Sequence, residues 1–180
     1  SLSIYIYGIL NIKNFNNKEL QDLPINLNVL STNIPIERYY SNFDDEKVLI
    51  ELINLSNPNP QENAIFVWPE GVIPNTNLRI LNQQYKYLFE KSFSDNHFVI
   101  MGVNDDVKKD YEFKYYNSLS ILDYKTNVLY KYYKNKLVPF GEFLPLEKML
   151  SKLGLKTLTN NYQSYSASFE RKIFNFGNYD

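Results

Sequence analysis

The chain has 180 residues, of which 44% are hydrophobic, and a formal net charge of −1. This length can bury one sizeable core, so we expect one domain, and the near-neutral charge does not suit a protein whose main partner is nucleic acid. There is no cysteine, which excludes disulfides, thiolate metal sites and a cysteine nucleophile within these residues. One histidine and scattered carboxylates give no metal-ligand spacing, so we predict no metal and no cofactor.

The first part of the chain is the least regular. The apolar run Ile4 to Leu10 is too short to cross a membrane, and residues 1–12 could form a strand or a stub that follows a membrane span. Residues 14–28 are polar and predict a loop, and Leu27 to Ser31 predicts a short buried strand. We therefore assign residues 1–27 to a lead-in and residues 28–180 to the domain.

Helices and strands alternate from this point on. Ser41 and Asp44 form a capping-box pattern before a helix at about 44–55, and Thr76 is positioned to cap a second helix. The core stripe predicted for the second helix is Leu78, Leu81, Tyr85, Leu88 and Phe89. The predicted strands are 64–68 and 98–103, followed by a hairpin of 116–122 and 128–133. This order predicts an α/β domain with its sheet covered by helices.

The last part of the chain carries weaker signals. Leu146 to Leu153 predicts a short helix, and Thr157 to Ser168 predicts a polar loop. His97, the single histidine, directly precedes a strand, which favours a structural role over a catalytic one.

Two strands end at proline and glycine, and each delivers a charged side chain. In the stretch AIFVWPE, Pro69 has no N–H and ends the strand, so that Glu70 lies at its tip. In the stretch YYKNKLVPFGEFLP, Lys134 ends an aromatic run and Glu142 follows a Pro-Phe-Gly turn. Taken singly, these would be ordinary exposed residues, but strand ends are where sites are commonly built.

Both stretches resemble motifs of the apolipoprotein N-acyltransferases, a membrane-bound branch of the nitrilase, or carbon–nitrogen hydrolase, superfamily. Asn33-Ile34-Pro35 and Tyr116-Asn117-Ser118 extend the resemblance, which covers about residues 28–145. The sequence departs from the family pattern at Ser31, where relatives carry Gln, and near Tyr40, where they carry Trp. The resemblance implies a nitrilase-like αββα sandwich, incomplete at the C-terminus.

The resemblance also implies roles for particular residues. Glu70 would be the general base, Lys134 the cation that stabilises a tetrahedral oxyanion, and Glu142 a supporting carboxylate. Trp68 and Phe140 would contact substrate. We expect Glu70 to be desolvated and to lie within about 4–6 Å of Lys134, the range in which opposite charges favour each other's ionised forms. Two neighbouring lysines, Lys131 and Lys136, should point elsewhere.

The implied reaction takes an acyl chain from a phospholipid, holds it as a cysteine thioester, and passes it to the diacylglyceryl cysteine of an apolipoprotein. Such enzymes act in the inner membrane of Gram-negative bacteria, with the catalytic domain on the periplasmic face. The family's cysteine would fall beyond Asp180, so we expect a truncated domain that is inactive alone. The alternatives are a nitrilase-type amidase that uses the same Glu and Lys, and a nonenzymatic remnant of a broken reading frame.

Overall fold

The computed structural model describes residues 2–16, 24–33, 44–109, 111–146, 164–170 and 173–175. The helices are α1 (Leu2–Asn16), α2 (Asp45–Ser56), α3 (Leu78–Ile80) and α4 (Lys86–Ser92), with a π-helical turn at Leu81–Tyr85 joining the last two. The strands are β1 (Asn26–Val29), β2 (Ala64–Val67), β3 (His97–Lys109), β4 (Glu112–Leu122) and β5 (Val128–Tyr133).

The strands form one five-stranded sheet in the order β1-β2-β3-β4-β5. The first three strands are parallel, while β4 pairs antiparallel with both β3 and β5. The helical segment 78–92 makes the crossover that a parallel β2–β3 pair requires. The predicted α/β class is confirmed, and the described residues supply one sheet and one helix layer of the predicted sandwich.

The core lies between the helices and one face of this sheet. Alternate residues of β2 and of the segment after it, Ala64, Phe66 and Trp68, are buried in the same cluster as the apolar face of α2. The cluster also contains alternate residues of β3 and the stripe of the second helical segment: Val99, Met101, Val103, Leu78, Leu81, Leu88 and Phe89. The predicted stripe is therefore core, with Tyr85 packed against it.

Both predicted helix caps are displaced along the sequence. Asp44 caps α2 by accepting hydrogen bonds from the backbone N–H groups of Glu46 and Lys47, and Ser41 lies outside the described residues. Asn77 caps α3, since its side chain accepts from Ile80 N at 2.8 Å. Thr76 instead donates its hydroxyl to the buried Asp45 at 2.5 Å. Adjacent residues can serve as caps equally well, and the buried carboxylate recruits Thr76.

The N-terminal elements differ from the expectation. Residues 2–16 form a helix rather than a strand, because the run has no strict alternation to hold it extended. β1 begins earlier than predicted and is an exposed edge strand, with Leu27 60% and Val29 71% exposed. Among the described helices, none is both long and apolar enough to cross a membrane.

The central hairpin is longer than the apolar pattern indicated. β3 and β4 continue to the pair Lys109–Glu112, through the polar residues Asn104, Asp105 and Asp106. A polar extension of this kind carries no apolar signal, which is why the sequence gave only 98–103. The helix predicted at 146–153 lies outside the described residues beyond Leu146, and residues 164–168 of the predicted loop are irregular.

Candidate active site

Glu70, Lys134 and Glu142 reach one place from three parts of the fold. Glu70 follows β2, between the buried Trp68 and the buried Val72. Lys134 directly follows β5, and its backbone N–H donates to Asn117 O of β4 at 2.9 Å, which continues the strand pairing by one residue. Glu142 comes from the loop beyond β5. The two strand ends predicted from proline and glycine therefore open toward each other.

The three charged side chains are in direct contact. Lys134 Nζ lies 2.9 Å from Glu142 Oε1 and 3.4 Å from Glu70 Oε1. This separation is shorter than the 4–6 Å expected from the sequence. The contact with Glu142 is the stronger one, because its distance lies within the usual range for a charge-assisted hydrogen bond and the Glu70 distance lies beyond it.

Asn117 joins the two carboxylates and was not assigned a role from the sequence. Its side-chain Nδ2 donates to Glu70 Oε1 at 2.8 Å and to Glu142 Oε1 at 2.7 Å. The one available signal was the Tyr-Asn-Ser motif, which marks the position without indicating what the amide contacts. We name the four residues Glu70, Asn117, Lys134 and Glu142 the carboxylate–lysine cluster.

A compact loop holds Glu142 in the cluster. Its Oε2 accepts from Val138 N at 2.8 Å, and its own backbone N–H donates to Val138 O at 2.8 Å. Phe140, at the turn, has a φ of 63°, a left-handed conformation that is uncommon for a bulky residue. The next described segment is tied to the same loop, since Tyr165 N donates to Glu142 O at 2.8 Å.

The electrostatics of the cluster favour the ionised forms of Lys134 and Glu142. Partial burial alone would lower the pKa of Lys134, but the hydrogen bond to Glu142 and the charges of Glu70 and Glu142 outweigh it, and the pKa is raised. Burial alone would raise the pKa of Glu142, but hydrogen bonds from Val138 N, Asn117 and Lys134 outweigh it, and the pKa is lowered. Glu142 and Lys134 therefore form a stable ion pair.

Glu70 is not desolvated, contrary to the expectation. Its side chain is 63% exposed, whereas that of Glu142 is 13% exposed. The apolar strand that precedes Glu70 buries its own side chains against the helices, and the turn after Pro69 lifts the carboxylate to the rim of the sheet. Among the described residues, the buried carboxylate of the cluster is thus Glu142.

Trp68 and Phe140 lie in opposite environments. The Trp68 ring is 3% exposed, lies 5.6 Å from the Phe89 ring, and donates Nε1–H to Ser56 Oγ at 3.0 Å. The structure thus gives Trp68 a packing role beneath the Glu70 turn. The Phe140 side chain is 72% exposed beside Glu142 in sequence. That either residue contacts substrate stays a prediction.

The neighbouring lysines lie away from the cluster. Lys131 Nζ forms an ion pair with the buried Asp105 at 2.7 Å, and the same carboxylate oxygen accepts from the Tyr133 hydroxyl at 2.5 Å. Asp105 follows Val103 by two residues on β3 and therefore lies on the helix-covered face. Lys136 is exposed. The expectation that Lys131 points elsewhere is confirmed.

Two cavities border the cluster. One, of about 480 Å³, is lined in part by Glu70, Asn117, Glu142 and Tyr165. The other, of about 230 Å³, lies on the sheet face opposite the helices, and its lining includes Val67, Ile100, Leu119 and Tyr132 together with Lys134. An ammonium flanked by carboxylates at the mouth of these cavities can accept a proton and stabilise a nearby oxyanion. Within the described residues, no group of three metal-ligating side chains is present.

Comparison with known proteins identifies the sequence relatives. No family model matches the chain. The apolipoprotein N-acyltransferase of Rickettsia prowazekii is 32% identical over 120 residues, covering 63% of this chain and 22% of the relative. That of Wigglesworthia glossinidia brevipalpis is 30% identical over 156 residues, covering 82% of this chain and 30% of the relative. The apolipoprotein N-acyltransferase of Rhizobium etli is 31% identical over 111 residues, covering 61% and 20%.

Among solved structures, an N-terminal amidase with an Asn-Glu-Ala peptide matches with a TM-score of 0.40 and 18% identity, covering 62% of this chain and 28% of that one. The sequence relatives and the α/β fold define the class as an acyltransferase-type domain of the nitrilase superfamily. The resemblance predicted from the motifs is confirmed, and the chain is a relative of the apolipoprotein N-acyltransferases. It spans 20–30% of the length of these three curated relatives.

Proposed function

We propose that the carboxylate–lysine cluster is the proton-transfer and oxyanion-stabilising part of an apolipoprotein N-acyltransferase site. The observation that carries the proposal is the contact of Lys134 with both Glu70 and Glu142, at 3.4 and 2.9 Å, in residues that come from three separate parts of the chain. A random surface pair would not recruit the amide of Asn117 to both carboxylates as well. The inner membrane, with the domain on the periplasmic face, is the location proposed with this activity.

In the proposed reaction, the nucleophile is a cysteine thiol that these 180 residues do not contain. Glu70 accepts the thiol proton, and the thiolate attacks the ester carbonyl of a phospholipid. Lys134 stabilises the oxyanion, and Glu70 returns the proton to the departing lysophospholipid oxygen as the thioester forms. The α-amine of the lipoprotein cysteine then attacks the thioester, its proton goes to Glu70, and the thiolate leaves.

The supporting role of Glu142 follows from its contacts. It is the more buried carboxylate, and its three hydrogen bonds fix the position of Lys134 Nζ. Fixed charges contribute to catalysis because they need no reorganisation when negative charge develops. Glu70, which is more exposed and makes the longer contact with Lys134, is left able to exchange protons.

The test is acyl transfer from a phospholipid to a diacylglyceryl-cysteine lipopeptide by the longest product of the gene that encodes this chain. Glu70→Gln should lower the rate of thioester formation by about 10²–10⁴-fold, the usual contribution of a general base. Lys134→Ala should lower it by about 10²–10³-fold, the loss typical of one oxyanion donor. Lys136→Ala is the matched control and should keep the parent rate. Near-parent activity of either cluster variant removes that residue from the site.

The 180-residue chain by itself should form no acyl adduct, because it has no thiol to carry the acyl group. Intact-mass spectrometry after incubation with a phospholipid or an activated acyl ester measures this directly. A covalent adduct of acyl mass on the chain would refute the thioester mechanism. Hydrolysis of a small amide by the gene product, without acyl transfer, would instead favour the nitrilase-type amidase.

A further inference from the structure

Gly102 occupies a strand position that is costly for glycine. It lies in β3, inside the apolar run Phe98 to Val103, and pairs with Leu119 of β4. Glycine in a strand interior loses backbone entropy and leaves a gap in side-chain packing, so a glycine there often marks a close approach of another part of the chain. The neighbours Met101 and Val103 face the core, so by alternation Gly102 faces the opposite side of the sheet.

The space above Gly102 is filled by Glu70. A Cβ atom added at Gly102 would lie 2.9 Å from Glu70 Cα, 3.2 Å from Glu70 Cγ and 3.3 Å from Glu70 Cβ. Carbon atoms in contact are normally about 3.5–4.0 Å apart. The first of these three atoms belongs to the backbone, so a rotation of the Glu70 side chain could not relieve the contact. Any side chain at position 102 must displace the turn that carries Glu70.

We infer that Gly102 is a positioning residue, which keeps the turn that carries Glu70 down on β3 so that its carboxylate reaches Lys134. The burial of Glu70 cannot do this, because its side chain is 63% exposed. The Asn117 and Lys134 contacts with Glu70 Oε1, at 2.8 and 3.4 Å, hold the carboxylate only once the backbone is in place. The catalytic meaning of this inference rests on the proposed function, but the geometric statement does not.

The experiment measures the pKa of Lys134 in the 180-residue chain by ¹⁵N and ¹³C NMR of its side chain during an alkaline titration. Circular dichroism of the same samples shows the range in which the chain stays folded. Gly102→Ala should lower the Lys134 pKa by as much as Glu70→Gln does, because both remove the Glu70 charge from its neighbourhood. In the Glu70→Gln background, Gly102→Ala should cause no further shift.

Gly141→Ala is the matched control. A Cβ atom there would meet Val138 Cγ1 at 3.5 Å, an ordinary contact, so the Lys134 pKa should stay as in the parent chain. An unchanged Lys134 pKa in folded Gly102→Ala would overturn the inference, and so would a further shift in the Glu70→Gln background. Since the measurement needs no turnover, its result is separate from that of the activity assay.

A second variant covers the case in which Gly102→Ala does not fold. Glycine at position 70 would remove the Cβ and Cγ contacts and let the turn move away from the sheet. The double variant Gly102→Ala, Glu70→Gly should then regain the circular dichroism spectrum and the cooperative urea transition of the Glu70→Gly chain. If the double variant also fails to fold, Gly102 serves the packing of the sheet rather than the position of Glu70, and the inference is wrong.

Discussion

Replacing Glu142 by glutamine tests whether the cluster is held together by one buried carboxylate. The side chain is 13% exposed and accepts three hydrogen bonds, from Val138 N, Lys134 Nζ and Asn117 Nδ2. Glutamine keeps the shape but removes the charge, and its amide nitrogen turns a donor toward at least one of these three donors. One hydrogen bond is therefore lost and the ion pair with Lys134 is broken.

The expected cost in unfolding free energy is about 2 kcal/mol. A hydrogen bond to a charged group contributes about 1.5–3 kcal/mol, and breaking a fully buried ion pair costs about 3–5 kcal/mol. Lys134 is 31% exposed, so solvent screens part of the interaction and places the value below the buried limit. It stays above the 0.2–1 kcal/mol of exposed pairs because Glu142 itself is nearly buried.

The assay is urea unfolding of both chains at several pH values. The pKa of Glu142 is lowered in the folded chain, so its stabilising contribution is present above the ordinary glutamate pKa of about 4.3 and is lost as the pH falls through the folded value. The pKa of Lys134 is raised, so its contribution is present below the ordinary lysine pKa of about 10.4 and is lost as the pH rises through the folded value. The gap between Glu142→Gln and the parent chain should be full near pH 7 and close at both extremes.

Glu112→Gln provides the control, since Glu112 is an exposed glutamate at the start of β4 and its replacement should change stability by less than about 0.5 kcal/mol. A Glu142→Gln chain as stable as the parent at pH 7 would refute the reasoning. So would a gap of constant size between pH 7 and pH 3, because the cost would then not come from the ionised carboxylate.

Three further substitutions test the surrounding structure by urea unfolding at pH 7. Lys131→Met leaves the buried Asp105 without its ammonium partner and should cost about 2–3 kcal/mol, whereas Lys136→Met should change little; equal effects would contradict the assignment of the two lysines. Gly71→Ala places a side chain at a φ of 67° and should cost about 1–2 kcal/mol, and a stable variant would show that the turn tolerates another conformation. Trp68→Phe removes the hydrogen bond to Ser56 and should cost about 1 kcal/mol or more, with Ser56→Ala giving a comparable loss if that bond is the cause.

The parts of the fold that the sequence predicts well are those where burial imposes a period. Helix α2 and the stripe Leu78 to Phe89 follow the helical spacing, and strand β2 is an apolar run that ends at a proline. The predictions fail where burial does not act on the pattern. The polar half of the β3–β4 hairpin is held by backbone pairing alone, and the choice between neighbouring caps such as Thr76 and Asn77 depends on which side chain a buried carboxylate recruits.

The candidate site divides in the same way. Glu70 and Lys134 could be found from sequence because proline and glycine mark the ends of their strands. Their meeting could not, since it depends on the order of the strands in the sheet. Asn117 was overlooked for this reason: its amide acquires a role only when β4 lies between the strands that carry Glu70 and Lys134.

That strand order sets the distance the site has to span. β2 and β5 are three positions apart in the sheet, and at a spacing of about 4.8 Å their axes are separated by about 14 Å. A lysine side chain covers less than half of this, so the turn that carries Glu70 has to cross over β3. It can do so only where β3 has no side chain, which is Gly102, and the next strand then presents the short amide of Asn117 between the two charges. The close approach at Gly102 and the bridge at Asn117 are thus two steps of one path from β2 to β5, and lengthening the side chain at either step should separate Glu70 from Lys134 while leaving the Glu142–Lys134 pair in place.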